Sequence, residues 1–190
     1  MFLKYKKGWR SIVYLDKSKG LIKKISNGRV LNRIENEVNW LNKLNKIGIG
    51  PKLISYGDNY LIIKFVNGVL IGDYINNESS VRIEKLIKEI LEQCYKLDKM
   101  NVDKEEMTNP YKHIIVGKKV VMIDFERARF SLKPHNITGF CQYLTSKKIY
   151  SVLCKKGLGF DKNKLKEILK KYKRNYSWKD FKKIEDSILV

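Results

Sequence analysis

The sequence predicts an α+β chain, rich in strands over its first third and mostly helical after that. Three observations carry this. Short β-branched runs separated by turn formers fill much of residues 10–65. One apolar stripe at three- and four-residue spacing interrupts them, and a longer stripe of the same kind opens the second part.

In chain order, 10–15 and 21–25 read as strands on either side of the turn-forming stretch 16–20. Leu31, Ile34, Val38, Leu41 and Leu44 then fall on one face of a helix, which Gly48, Gly50 and Pro51 bring to an end. Residues 52–55 and 60–65 are the next strands, around Gly57, Asp58 and Asn59. From residue 68 the pattern turns helical. Ile83, Leu86, Ile87, Ile90, Leu91, Cys94 and Leu97 form one long stripe, so this helix buries a face. Two short strands, 114–116 and 119–123, meet at Gly117 and Lys118. Two helices complete the chain. Asp161 is placed to cap the first, and Ser177 with Asp180 forms a capping box for the second.

The bulk properties narrow the function. The chain has 190 residues and is 43% hydrophobic, enough for a sizeable core, which excludes a disordered chain. Its apolar runs, 61–63 and 120–123, are far too short to span a bilayer, and residues 1–15 carry no apolar leader core. A cytoplasmic protein without a membrane partner is expected. The three cysteines, Cys94, Cys141 and Cys154, are widely spaced and read as buried free thiols rather than a zinc or disulfide framework. Forty basic against 20 acidic residues give a net charge of +20, which calls for polyanionic partners. Residues 162–183 concentrate this charge, with ten Lys or Arg, two acids, and Tyr172, Tyr176 and Trp178 between them. That mixture suits RNA or an acidic protein, and it equally describes an amphipathic helix pair with Leu165, Ile168, Leu169 and Tyr172 facing a core.

The order of elements, with Gly-Leu-Ile-Lys-Lys-Ile at 20–25, Glu37, the stretch 60–68 and Val-Met-Ile-Asp-Phe-Glu at 121–126, resembles the protein-kinase-like superfamily over roughly residues 5–145. Within that superfamily the chain is similar to small prokaryotic and archaeal predicted Ser/Thr kinases, and it is minimal in the manner of the RIO and KEOPS-type kinases. The resemblance implies a two-lobed kinase-like fold, with a β-rich N-lobe at 1–66 and a reduced helical C-lobe at 67–190. It also implies an ATP and Mg²⁺ site between the lobes and a protein hydroxyl as acceptor.

Gly-Leu-Ile-Lys-Lys-Ile at 20–25 resembles the strand whose lysine grips the nucleotide phosphates. The resemblance assigns that role to Lys23, with Lys24 on the opposite face. Glu37 resembles the helix glutamate that pairs with this lysine; Glu35, about 200° away around the helix, is the competitor. The stretch 60–68 resembles the fifth strand and hinge, with Ile63 behind the adenine and backbone groups of Lys64 and Val66 on its edge. Val-Met-Ile-Asp-Phe-Glu at 121–126 resembles the metal-binding motif, with Asp124 on Mg²⁺. Glu126 stands where the family usually has glycine, as in choline-kinase and aminoglycoside-kinase relatives.

The loop before the late strands departs most from the family pattern. Glu106, followed by apolar Met107, is the expected proton acceptor, with Asp103 and Glu105 as alternatives. His113 stands where the family has a metal-binding asparagine, and is expected either to join Asp124 as a metal ligand or to be a hydrogen-bonded structural histidine. The phosphate-covering loop keeps one glycine, Gly8, with Lys7 and Arg10 adding charge. Three other readings stay open at this level: a catalytically weak pseudokinase, an RNA-associated basic scaffold, and a kinase for small hydroxylated molecules.

Overall fold

The computed structural model describes residues 1–29 and 32–189; Leu31, the first member of the expected helix stripe, lies outside them. The chain divides into two compact units, 1–68 with 117–128 and 69–116 with 129–190. In chain order the first unit takes β1 (Leu3–Lys7), β2 (Ser11–Asp16), β3 (Leu21–Ser26), α1 (Arg33–Leu44), β4 (Leu53–Gly57) and β5 (Tyr60–Lys64). The second takes β6 (Val69–Leu70), α2 (Ile71–Asn77), α3 (Ser80–Lys99), β7 (Val102–Asp103) and β8 (Ile114–Val116). The strand β9 (Val120–Met122) belongs to the first unit again. The second unit then continues with β10 (Arg129–Phe130), α4 (Asn136–Thr145), α5 (Lys147–Lys155), α6 (Lys162–Asn175) and α7 (Trp178–Ile188). The boundary expected after residue 66 falls after Gly68. Residues 117–128, assigned to the second lobe from sequence, instead pack in the first unit.

The first unit is a five-stranded antiparallel sheet, β1-β2-β3-β5-β4, with α1 on one face. Ile34 and Val38 of α1 meet Leu61 of β5 in a buried cluster, and Leu53 and Ile63 pack against it. Since side chains alternate along a strand, Leu61 and Ile63 define the helix-facing side of β5. Register then fixes β3. Lys24 lies directly opposite Leu61 and shares its face, while Lys23 lies opposite Ile62 on the other. Gly50 ends the α1 region for two reasons. Its φ of +83° suits glycine, and a Cβ there would stand 2.7 Å from Leu41 Cδ2 and 3.3 Å from Phe125 Cε2.

The second unit is helical around α3, whose stripe is buried from Ile83 to Leu97 as the periodicity predicts. Asp98, near its end, is a hub. Its carboxylate accepts from Asn136 Nδ2 (2.8 Å), the Asn136 N–H (3.2 Å), the Ile137 N–H (3.4 Å) and Tyr172 Oη (2.9 Å). One buried group thus ties α3, α4 and α6. Asn136, fully buried, also donates to the Val102 carbonyl and accepts from the Lys104 N–H, fixing the loop after β7. Gly139 lets α4 approach that loop: a Cβ there would lie 3.2 Å from Met107 Cβ. The tail caps are as read from sequence. Asp161 accepts from the N–H groups of Asn163 and Lys164, and Ser177 Oγ accepts from the Asp180 N–H. Cys94 and Cys141 are buried, and burial pushes both thiols up; Cys154 is exposed, contrary to expectation.

Burial pushes the Asp98 carboxyl up to about 6, although all four partners donate to it and oppose the shift. The sign follows from comparing states. Below the unfolded value of 3.8 both states hold the proton; between there and about 6 only the folded chain does. Asp98 therefore contributes stability that is full at low pH and lost as pH rises through 6, about 3 kcal/mol in all. Denaturant titrations from pH 4 to 7 should show Asp98→Asn gaining steadily on wild type up to about pH 6, after which the difference between the two stays constant. Parallel curves throughout would contradict the assignment.

Candidate phosphate and metal site

The first unit gathers two cations and three carboxylates. Lys24 Nζ donates to Glu37 Oε2 at 2.7 Å and Asp124 Oδ1 at 2.6 Å, and lies 3.1 Å from Glu126 Oε2. Arg10, just before β2, donates to Glu126 Oε1 at 3.0 Å. Oxygens of Glu37, Asp124 and Glu126 lie within 4.8 Å of one another, close enough for one cation to reach all three. Burial alone disfavours the Lys24 ammonium, but the carboxylates of Glu37, Asp124 and Glu126 outweigh it and hold Lys24 charged beyond the ordinary lysine range. Burial pushes the Glu37 carboxyl up, Lys24 opposes this, and Asp124 and Glu126 add to it.

The lysine of this cluster is Lys24, which corrects the expectation of Lys23. Lys23 points to the other face, with Nζ 4.4 Å from the Tyr60 ring centroid. Leu21, Ile22 and Ile25 put apolar residues on both faces of β3, so alternation did not select a lysine. The β3–β5 register does, and it is a long-range feature with no local signal. Glu37 is the helix partner, buried at 2%, while Glu35 is exposed.

The backbone around Asp124 is shaped for the site. Asp124 has φ 66°, a left-handed conformation that aspartate tolerates better than most residues. The N–H of Phe125 donates to Glu37 Oε1, so one carboxylate holds both the lysine and the turn. Asn36 Nδ2 and Arg33 donate to the Glu126 carbonyl, and Asn36 Nδ2 and Trp40 Nε1 donate to the Ala128 carbonyl. Helix α1 therefore fastens residues 124–128 along its length. Arg33, Asn36 and Trp40 went unassigned in the sequence because their partners are carbonyls about 90 residues away, and Arg10, read as charge on the phosphate-covering loop, is bound to Glu126, 116 residues away.

The other expected residues are placed as follows. Gly8 sits in the β1–β2 turn, its N–H donating to the Ser11 carbonyl at 2.8 Å. Ile63 joins the α1–sheet core. The Lys64 N–H is donated to the Lys52 carbonyl, and Val66 follows β5. Glu106 and His113 belong to the second unit. Glu106 is bound to the buried Lys104 ammonium at 3.2 Å, and His113 closes the turn Pro110–Lys112. Asp103 is buried and bonded to His135, and Glu105 pairs with Arg129 at 2.5 Å. In the basic tail Tyr172 is fully buried, which removes it from any stacking surface. Trp178 is 54% exposed but packs on Tyr95 and Phe181. No helix among the described residues is long and apolar enough to cross a membrane.

Lys24 stands over buried partners, so its removal leaves carboxylates without their counter-charge. Lys24→Met should cost about 3–5 kcal/mol of unfolding free energy. Lys23→Met should cost under about 1 kcal/mol, the usual range of an exposed cation–π contact. Equal losses in the two variants would contradict the observed register.

No family model matches the chain. It is similar to an uncharacterized protein, MJ1211, of Methanocaldococcus jannaschii, with 26% identity over 115 residues, 59% of this chain and 99% of that protein. Among solved structures it is similar to the bifunctional kinase-methyltransferase WbdD, with a TM-score of 0.64 and 14% identity over 93% of this chain. The match covers 42% of the WbdD chain, so this chain spans less than half of that protein. At such identity the likeness is one of fold: an antiparallel sheet in the N-terminal part and helices in the C-terminal part make a kinase-like α+β fold.

Proposed function

We propose that the chain is an ATP-dependent phosphotransferase carrying Mg²⁺ with its nucleotide and acting on serine or threonine hydroxyls of a protein. The observation that carries this is the Asp124 carboxylate, 36% exposed and hydrogen-bonded to a buried ammonium, in a cluster whose other two carboxylates are buried. Lys24 and Arg10 are the cations bound to these carboxylates, and Asp124 is the most exposed of the three. The donors are all oxygens, the chemistry that magnesium takes, and magnesium typically uses one or two carboxylates beside phosphate and water. Asp124 would hold the ion, which would neutralise charge on the phosphates. Lys24, held extended by Glu37, would take the phosphate role first given to Lys23.

Arg10 would add a second cation from the β1–β2 turn, making up for a loop with one glycine. Lys64 would offer its carbonyl, and Val66 a backbone group, to the adenine. Glu106, bound to the Lys104 ammonium at 3.2 Å, remains the proposed proton acceptor. Residues 162–183 would offer an exposed basic surface to an acidic protein or RNA.

A ligand that binds only the folded state raises its melting temperature. Millimolar MgATP should therefore stabilise wild type by several degrees. Asp124→Asn should remove most of the Mg²⁺-dependent part, and Lys24→Ala should weaken the response to ATP with or without metal. Lys23→Ala should respond as wild type does. A wild-type protein indifferent to MgATP would overturn the proposal.

A further inference from the structure

The second unit carries a histidine–carboxylate pair that the metal and phosphate cluster does not use. Asp103 is 3% exposed, and its Oδ2 lies 3.0 Å from Nδ1 of His135, whose side chain is 52% exposed. A carboxylate only accepts, so the ring proton sits on Nδ1 and the lone pair on Nε2. Asp103 is itself fixed, its Oδ1 accepting from the Glu105 N–H at 3.2 Å. Glu105 has φ 69° and ψ −46°, and the Glu106 N–H donates to the Lys104 carbonyl across it, a strained three-residue turn. This turn holds Asp103 and Glu105 beside Arg129, whose guanidinium lies 3.8 Å from Asp103 and 2.5 Å from Glu105. His135 is also the N-cap residue of α4, whose positive end favours added negative charge nearby.

We propose that His135 Nε2 is a phosphoryl acceptor, and that the chain transfers to it the terminal phosphoryl group of ATP. The donor rests on the phosphotransferase reading; the reactivity of the site does not. The Nε2 lone pair would form a bond to phosphorus as the bond from phosphorus to the bridging oxygen breaks, and ADP would leave with that electron pair. Nε2 has no proton to lose. The positive charge that develops on the ring is met by Asp103 through Nδ1–H, while Arg129 is held on Asp103 and Glu105 in the same loop. Asp103 is a positioning residue here: it selects the nitrogen and supports the charged product.

The chain has two histidines, His113 and His135, so the test is clean. Phosphoramidate, which phosphorylates imidazole without a nucleotide or kinase, should label full-length wild type at Nε2 of His135 faster than at His113. His135→Gln should lose that label, and Asp103→Asn, checked for an unchanged melting transition, should slow it at least several-fold and admit Nδ1 product. With γ-labelled MgATP, wild type should gain an acid-labile, base-stable label on His135 that His135→Gln lacks. If phosphoramidate spares His135 or labels it mainly at Nδ1, the proposal is overturned whatever MgATP does. If MgATP stabilises the protein yet leaves His135 unlabelled, self-transfer is overturned while the nucleotide site stands. A missing thermal response to MgATP instead condemns the phosphotransferase reading and, with it, the donor.

Discussion

Everything in the first unit depends on keeping the Lys24 ammonium charged inside the protein. A buried cation is costly unless opposite charges and hydrogen bonds surround it. Here three carboxylates do so, from α1 and from the turn after β9. The requirement propagates outward. Glu37 must lie on the buried side of α1, β3 must pair with β5 in the register that turns Lys24 toward the helix, and residues 124–126 must turn back to the same point. Asp124 adopts left-handed backbone to do this, and α1 holds the segment with side-chain donors on the carbonyls of Glu126 and Ala128. Of the three carboxylates Asp124 is the exposed one, and on it the functional reading rests.

The second unit solves a parallel problem with polar rather than ionic means. Asp98 gathers donors from α4 and α6, while Asn136 uses its amide in both directions. Polar groups buried this way help specify one arrangement because each loses its partner if an element shifts. The loop that follows β7 inherits its shape from this hub, and that shape presents His135 on a buried carboxylate.

How much of this was legible in the sequence depended on the range of the interaction. Helix periodicity gave α1 and α3, and local capping chemistry gave the starts of α6 and α7. Asp124 and Glu37 could be named because their strand and helix contexts are local. Lys24 was missed because the choice between adjacent lysines is made by a partner strand nearly forty residues away. β1 escaped because its five residues are all exposed and mostly lysine, and β6, β7 and β10 because two-residue strands leave no pattern. The short helices α2, α4 and α5 lack a stripe long enough to stand out. Tyr172 had two readings, a stacking aromatic and a core residue; its burial and its bond to Asp98, 74 positions earlier, select the core one.

The central claim is that the carboxylate cluster around Lys24 receives a metal–nucleotide complex through Asp124. Paramagnetic broadening by Mn²⁺–ATP measures this most directly, since the effect falls off steeply with distance from the ion. The account predicts that amide resonances of Asp124, Phe125 and Lys24 broaden first at substoichiometric Mn²⁺–ATP, and that Asp124→Asn abolishes the effect. Sharp signals at these residues, with broadening confined to another part of the chain, would contradict it.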